Sequence, residues 1–285
     1  MDVARDAPKR PIMRYHGGKW KLAAWIISAF PEHRIYVEPF GGAASVLLRK
    51  ARSYAEVYND LDGEIVNLFR VLRNAAQARE LVRCVRFTPY SREEFETSYL
   101  LDGDPIEQAR RTLFRSAAGF STAGANASKW RTGFRGNVTR SGSTPAKDWA
   151  NIPAILEQVA ERLRGVVIEN DSALNVIARY DTPDTLFYLD PPYPFDTRNG
   201  RWAGNCYHHE MTDEQHRELA GVALGVQGMV IMSGYSCDLY DALYSGWKRL
   251  DRDTYADHAL DRIESLWLSP RTVEALQMPV QGVLL

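Results

Sequence analysis

Val37-Glu38-Pro39-Phe40-Gly41-Gly42-Ala43-Ala44-Ser45 carries an apolar run into a cluster of small residues. It reads as a buried β-strand over residues 35–38 that turns tightly and enters a helix over residues 43–50. Glycine at such a turn lets a ligand lie against backbone, and free N–H groups at a helix start attract polar or anionic atoms. The spacing is looser than G-x-G-x-x-G, so these nine residues alone fit a plain strand-to-helix turn equally well.

Working outward, short apolar runs bounded by turn or polar residues recur at 55–58, 166–169, 186–189 and 229–233. Between them, residues 20–30, 43–50, 64–73, 172–179 and 214–224 carry apolar side chains at helical spacing. Strand and helix alternation predicts an α/β fold whose mainly parallel sheet is covered on both faces. Residues 250–255 and 263–268 predict a terminal hairpin. The alternation lapses between about 75 and 164, where helical patterns at 92–101, 105–118 and 153–163 surround an aperiodic loop over 119–147. The expected organisation is therefore an α/β domain formed by residues 1–74 and 165–285, interrupted by a subdomain over 75–164.

A hydrophobic fraction of 45% and a charged fraction of 25% over 285 residues exclude wholesale disorder, a collagen-like fibre and a coiled-coil rod. The formal charge of −1 hides a segregation, because residues 110–147 hold eight Lys or Arg and no Asp or Glu. Charge segregated in this way points to an anionic partner for one part of the molecule. Cys84, Cys206 and Cys237 are odd in number and form no C-x-x-C pair, which argues against a disulfide framework and a cysteine zinc site. No apolar run of about 18 residues occurs, and none follows Arg5, Lys9 and Arg10, so neither a membrane span nor a secretion signal is expected. A reducing cytoplasm is the expected location.

Two further motifs follow predicted strands. Tyr58-Asn59-Asp60 puts a carboxylate roughly 20 positions after the glycine turn, where α/β nucleotide folds hold ribose hydroxyls; a helix N-cap is the plainer reading of a lone Asp there. Leu189-Asp190-Pro191-Pro192-Tyr193 presents a carboxylate, backbone carbonyls and an aromatic face from a loop that two prolines stiffen. That array suits a planar ring bearing an amino group, whose protons the acceptors take while the tyrosine stacks. His208-His209-Glu210 with His216 matches no strong zinc spacing, and no metal is expected.

In this order, Tyr15-His16-Gly17-Gly18-Lys19, the glycine turn, Asn59-Asp60, Glu169-Asn170-Asp171 and Asp190-Pro191-Pro192-Tyr193 resemble the Dam-type (D12 class) adenine-N6 DNA methyltransferases. The likeness extends to Ser233-Gly234-Tyr235 and Leu239-Tyr240, and so covers most of the chain. It implies a Rossmann-like fold that binds S-adenosyl-L-methionine and takes duplex DNA as substrate, with residues 75–164 as the target-recognition subdomain. Tyr15, Gly17 and Lys19 would line the cofactor site, and Glu38, Pro39, Phe40, Gly41 and Gly42 would form its floor. Asp60 would hold the ribose, Asp171 would sit near the cofactor adenine, and Asp190 would lie between cofactor and target base. Ala44 departs from the last glycine of the family's F-x-G-x-G pattern.

The chemistry is coherent without the likeness. An exocyclic adenine amine is a poor nucleophile, and bonds from its protons to Asp190 and the Pro191 carbonyl would make it a better one. A base inside a duplex cannot reach such a site, so it would be extruded, with Tyr193 replacing part of the lost stacking. Arg115, Asn126, Lys129, Trp130, Arg131, Arg135 and Asn137 are the expected DNA contacts, Arg131 and Arg135 first among them. Residues 195–209, with Arg198, Arg201 and Trp202, read as a flap over the flipped base. Transfer to cytosine N4 or to RNA, a dinucleotide-dependent oxidoreductase and a non-catalytic DNA-binding regulator stand as alternatives. A monomer and a weak homodimer both fit.

Overall fold

The structure is a computed structural model that describes residues 3–5, 7–120, 131–137, 142–197, 207–255 and 261–277. Among the described residues, β1 (Ile35–Glu38), β2 (Ala55–Asn59), β3 (Val166–Glu169), β4 (Thr185–Leu189), β5 (Met229–Tyr235), β6 (Lys248–Tyr255) and β7 (Asp261–Leu268) form one sheet of order β3-β2-β1-β4-β5-β7-β6. The first five positions are parallel, while β7 runs antiparallel to both β5 and β6 and closes the expected hairpin. The chain builds outward from β1 to β3 on one side and from β4 onward on the other. The order therefore reverses between β1 and β4, and in such sheets ligands bind in the crevice at the carboxyl ends of those strands.

Both faces of the sheet are covered, and the pleat shows how. Tyr36, Leu186 and Tyr188 point into one apolar core, whereas the alternate residues Val37, Phe187 and Leu189 point into the other. The second core is closed by α8 (Ala173–Tyr180), α9 (Asp213–Gly225) and α10 (Asp238–Leu243), through Val176, Leu219 and Tyr240. Residues from α1 (Ala23–Ser28), α2 (Gly63–Arg73), α3 (Ala75–Phe87), α4 (Arg92–Thr97), α5 (Pro105–Ala118), α6 (Pro145–Ala150) and α7 (Ile152–Arg162) fill the first. A last helix, α11 (Pro270–Gln277), follows β7. Helix starts obey local chemistry: Asp62, Asn74, Asp104 and Ser172 cap α2, α3, α5 and α8, and Thr212 with Gln215 forms a capping box on α9.

The helices expected in the insert share the core of the sheet. Leu81, Leu113, Phe114, Leu156 and Val159 belong to the same apolar cluster as Tyr36, Leu68 and Tyr188. Buried ion pairs stitch the same seam. Glu56 on β2 accepts from Lys50 at 2.7 Å and from both terminal nitrogens of Arg162 on α7 at 2.6 and 2.9 Å. The packing has no break at residue 75.

One expected helix is absent. Residues 43–50 form successive turns, because the Leu47 N–H donates to Glu38 Oε2 at 3.0 Å and so leaves any i→i−4 ladder. Ala44 also adopts φ 53°, a left-handed conformation that costs an L-residue roughly 1–2 kcal/mol. This is the position where the resembled pattern has glycine.

Candidate active site

The glycine turn is shaped first by protein packing. A Cβ on Gly41 would lie 2.2 Å from Cε2 of Tyr58, and one on Gly42, where φ is +46°, would lie 2.6 Å from Cε1 of Tyr15. Two aromatic rings thus clamp the turn, and the Tyr58 hydroxyl donates to the Gly42 carbonyl at 2.7 Å. Asp60 completes the clamp by accepting from the Gly42 N–H at 2.7 Å and the Asp62 N–H at 2.8 Å. Carboxylate oxygens carry further lone pairs, so Asp60 keeps capacity for a ligand hydroxyl.

A cavity opens at the carboxyl ends of β1 and β4, at the reversal of strand order. Tyr15, Gly17, Gly18, Lys19, Glu38 to Ala43, Asp60, Asp190 and Pro192 line it, together with Ser172 to Leu174 at the start of α8. The structure thus gathers most of the expected cofactor-site residues into one wall. The Asp171 side chain accepts from Asn175 and Arg179, at 2.9 and 2.8 Å, and it is the next residue, Ser172, that reaches the lining. Its backbone is fixed by Asn59, which accepts from its N–H at 2.9 Å and donates to its carbonyl at 3.0 Å. Asn59 therefore positions the start of α8 that does line the cavity.

The charged groups of the cavity sit in a dry wall. Burial pushes the Glu38 carboxyl up to about 8, against donation from the Tyr36 hydroxyl and the Leu47 N–H that favours its ionised form. Burial likewise raises Asp60 to about 6, opposed by its two backbone donors. Asp190 is also raised by burial to about 6; Lys19 opposes the shift and the charge of Glu264 adds to it. Lys19, 7% exposed in its side chain, lies 2.9 Å from Asp190 Oδ1. Burial disfavours its charge, but Asp190 and then Glu264 outweigh that and hold the ammonium well above the ordinary lysine range.

The tyrosine of the Asp-Pro-Pro-Tyr loop stands edge-on to Tyr235, with ring centroids 4.8 Å apart, and Lys19 lies 4.7 Å from its own ring centroid. Its hydroxyl donates to Glu264. Pro191 is buried and Pro192 reaches the cavity lining, so the two prolines split between core and cavity. Glu264 escaped sequence reading, although its partner Ser233 belongs to the Ser233-Gly234-Tyr235 motif. The available signal was a carboxylate at the same parity as the apolar Leu266 and Leu268 on β7.

Residues 207–211 also line the cavity. The Tyr207 hydroxyl fills the space a Cβ on Gly17 would need, at 2.2 Å, and His208 Nδ1 lies 2.9 Å from Asp62 Oδ2. The bond to Asp62 raises the His208 imidazole above its ordinary range. Arg198, Arg201 and Trp202 lie outside the described residues, as do Asn126, Lys129 and Trp130.

Among the expected DNA contacts, Arg115 requires correction. It is 4% exposed, donates to Glu64 on α2 and to the Ser98 carbonyl, and so spends its charge on holding α5 to α2. Arg135 is half-buried and donates to the Ala117 carbonyl at 2.9 Å. Arg131 and Asn137 are exposed, and the Arg131 guanidinium lies 5.2 Å from the Tyr99 ring centroid.

No described helix is long and apolar enough to cross a membrane. The chain is 26% identical over 227 residues to the DNA adenine methylases of Escherichia coli strain K12 and Escherichia coli O157:H7, covering 76% of each sequence. A family match takes in residues 15–257, from the Tyr15 wall of the cavity through the Asp190 loop to the strand hairpin. With sheet order, cavity and motif residues in agreement over that span, the chain belongs to the D12 class N6 adenine-specific DNA methyltransferases.

Proposed function

We propose a residue-level route for the adenine-N6 methylation of DNA that this family carries out, with S-adenosyl-L-methionine as donor. The donor set of the cavity fits that cofactor. The carboxylates of Asp60 and Asp190 suit its cationic centres and ribose hydroxyls, Glu38 adds a carboxyl that hydrogen-bonds, and Phe40, Leu174 and Met211 supply apolar wall for its adenine. When bound, it supplies an electrophilic methyl group on a sulfonium sulfur.

The chain's own residues do the rest. Asp190 accepts one proton of the target amine and the Pro191 carbonyl the other, which localises the nitrogen lone pair. Lys19 fixes the Asp190 carboxylate from its Oδ1 side and keeps it largely ionised at neutral pH despite burial. After transfer the same carboxylate takes the proton that the methylated nitrogen releases. Holding both reactants in one closed wall supplies orientation, worth about 7–11 kcal/mol in well-aligned systems. Tyr193 lends an aromatic surface to the extruded base.

The DNA is held by the segment around Arg131 and Asn137 with Lys129, Trp130 and Asn126, and residues 75–164 serve as the target-recognition part. Arg131 carries the phosphate contact, since its charge faces solvent where those of Arg115 and Arg135 are used internally. The supporting observation for the whole reading is the buried Lys19–Asp190 pair facing the cavity at the strand-order reversal. Sequencing of DNA from a methylation-free bacterial host expressing the chain tests it. A motif-specific N6-methyladenine signal, lost with Asp190→Ala, is expected; modified cytosine, or no modified base despite cofactor binding, would overturn it.

A further inference from the structure

Glu264 is 3% exposed on β7, yet its side-chain contacts among the described residues lead to the proposed site. Its Oε1 accepts from Ser233 Oγ on β5 at 3.0 Å and from the Tyr193 hydroxyl, and it lies 3.6 Å from Lys19 Nζ. Lys19 in turn reaches Asp190 at 2.9 Å and donates to the Gly17 carbonyl at 2.9 Å. One buried cation is therefore shared by two carboxylates, and one carboxylate oxygen gathers the cation and two hydroxyls. A carboxylate with no structural alternative to these partners is expensive to bury unless all of them stay in place.

We propose that Glu264 is a positioning residue for methyl transfer: it draws part of the Lys19 charge away from Asp190 and pins the hydroxyl of Tyr193. The proposal rests on the adenine-methylation route above. Drawing Lys19 off leaves Asp190 a stronger acceptor for the amine protons than a lysine held by Asp190 alone would allow. Pinning Tyr193 fixes the aromatic face of the Asp-Pro-Pro-Tyr loop against Tyr235. The titratable and charged groups around this cluster are Lys19 from the N-terminal loop, Tyr188 and Asp190 from β4 and its end, Tyr193 from the loop beyond, and Tyr235 on β5 and Arg252 on β6 at the register positions opposite Glu264; Glu38 on β1 and Tyr207 interact with Asp190 and Lys19 respectively.

The test is the single-turnover methylation rate of the full chain on DNA, followed against pH for wild type, Glu264→Gln, Glu264→Asp and Tyr193→Phe. Glu264→Gln keeps the shape and removes the charge. It is expected to lower the rate at least tenfold while the cofactor KM changes less than threefold, and to move the acid limb to lower pH, because a negative neighbour of Asp190 is gone. Glu264→Asp keeps the limb near its wild-type position. An unmoved limb with a rate within threefold of wild type, in folded Glu264→Gln protein, overturns the proposal. If Glu264→Gln does not fold, Tyr193→Phe decides: a severalfold slower rate at unchanged cofactor KM supports the anchoring role, and a wild-type rate overturns it. A wild-type chain that makes no N6-methyladenine removes the methylation route itself, an outcome distinct from an active wild type with a neutral Glu264→Gln.

Discussion

In the proposed route Asp190 has three demands to meet at one atom group: to be ionised so as to accept amine protons, largely withdrawn from solvent, and poised to take a proton back. Burial and Glu264 raise it while Lys19 restrains it, and the outcome near 6 serves all three. Methylation is expected to fall as pH drops through about 6, since protonation removes the acceptor; initial rates from pH 5 to 8 check this. Asp190→Ala should abolish transfer while DNA affinity, measured by anisotropy, stays within about twofold. Equal loss of both would show that its role is structural. Glu38 yields a stability prediction of definite sign. Its carboxyl titrates near 8 in the fold against about 4.5 unfolded, so the folded chain holds the extra proton between those values and loses stability as pH rises through them. Glu38→Gln should remove that dependence, gaining on the order of a few kcal/mol over wild type at pH 8.5 and little at pH 5 in denaturant titrations.

The strand-to-helix turn after β1 shows what local pattern does and does not encode. The five parallel strands were legible because each is short, apolar and bounded by turn residues, and α2, α5, α8 and α9 because their apolar spacing and caps agree. Residues 43–50 have a helical pattern too, but Glu38, nine positions before Leu47, captures that N–H, and no local signal announces a bond from a preceding strand. For the same reason Asp171, legible as part of a motif, turned out to serve Arg179, while Glu264 was overlooked although its parity on β7 placed it inside. Motif reading finds residues that are close in sequence to other signals; it misses a group such as Glu264, whose partners Ser233, Tyr193 and Lys19 come from three separate segments. Within the turn, Gly41→Ala should be costly, because its Cβ would meet both the Tyr58 ring at 2.2 Å and the Asn59 carbonyl at 2.9 Å, and the latter is backbone. A loss of about 1–3 kcal/mol and a clear drop in cofactor affinity are expected by thermal melting and calorimetry. Gly103→Ala, where nothing lies within 4 Å, is the matched control and should change neither.

At the scale of the whole molecule, the basic stretch over 110–147 divides by use. Arg110 pairs with Glu94 and Glu107, Arg111 with Asp102 and Glu107, and Arg115 with Glu64, so its first three arginines tie α5 to α4, to the loop before α5 and to α2. Composition alone counts them with the loop charges, since ion pairs formed with residues up to 51 positions away are invisible in a local tally. Among the described cations of the stretch beyond Arg115, Arg131 and Lys147 are exposed, and Arg131 is the one that stands ahead of α6, in the same segment as Asn137. Two substitutions should therefore separate cleanly. Arg131→Ala should leave the melting temperature unchanged, weaken DNA binding across all sequences and reduce the slope of log affinity against log salt by about 1. Arg115→Ala removes the cation beside Glu64, which keeps Gln108 and Thr112 as donors, and should cost roughly 1–3 kcal/mol in stability, with the salt slope of the surviving folded protein unaltered. Excision of residues 75–164 is the extreme case: Leu81, Phe114 and Leu156 fill the same core as Tyr36 and Tyr188, so the remaining chain should fail to give a cooperative thermal transition. A cooperative transition there would mean that the sheet and α2 hold together without the helices that now cover them, and that the insert is an independent module after all.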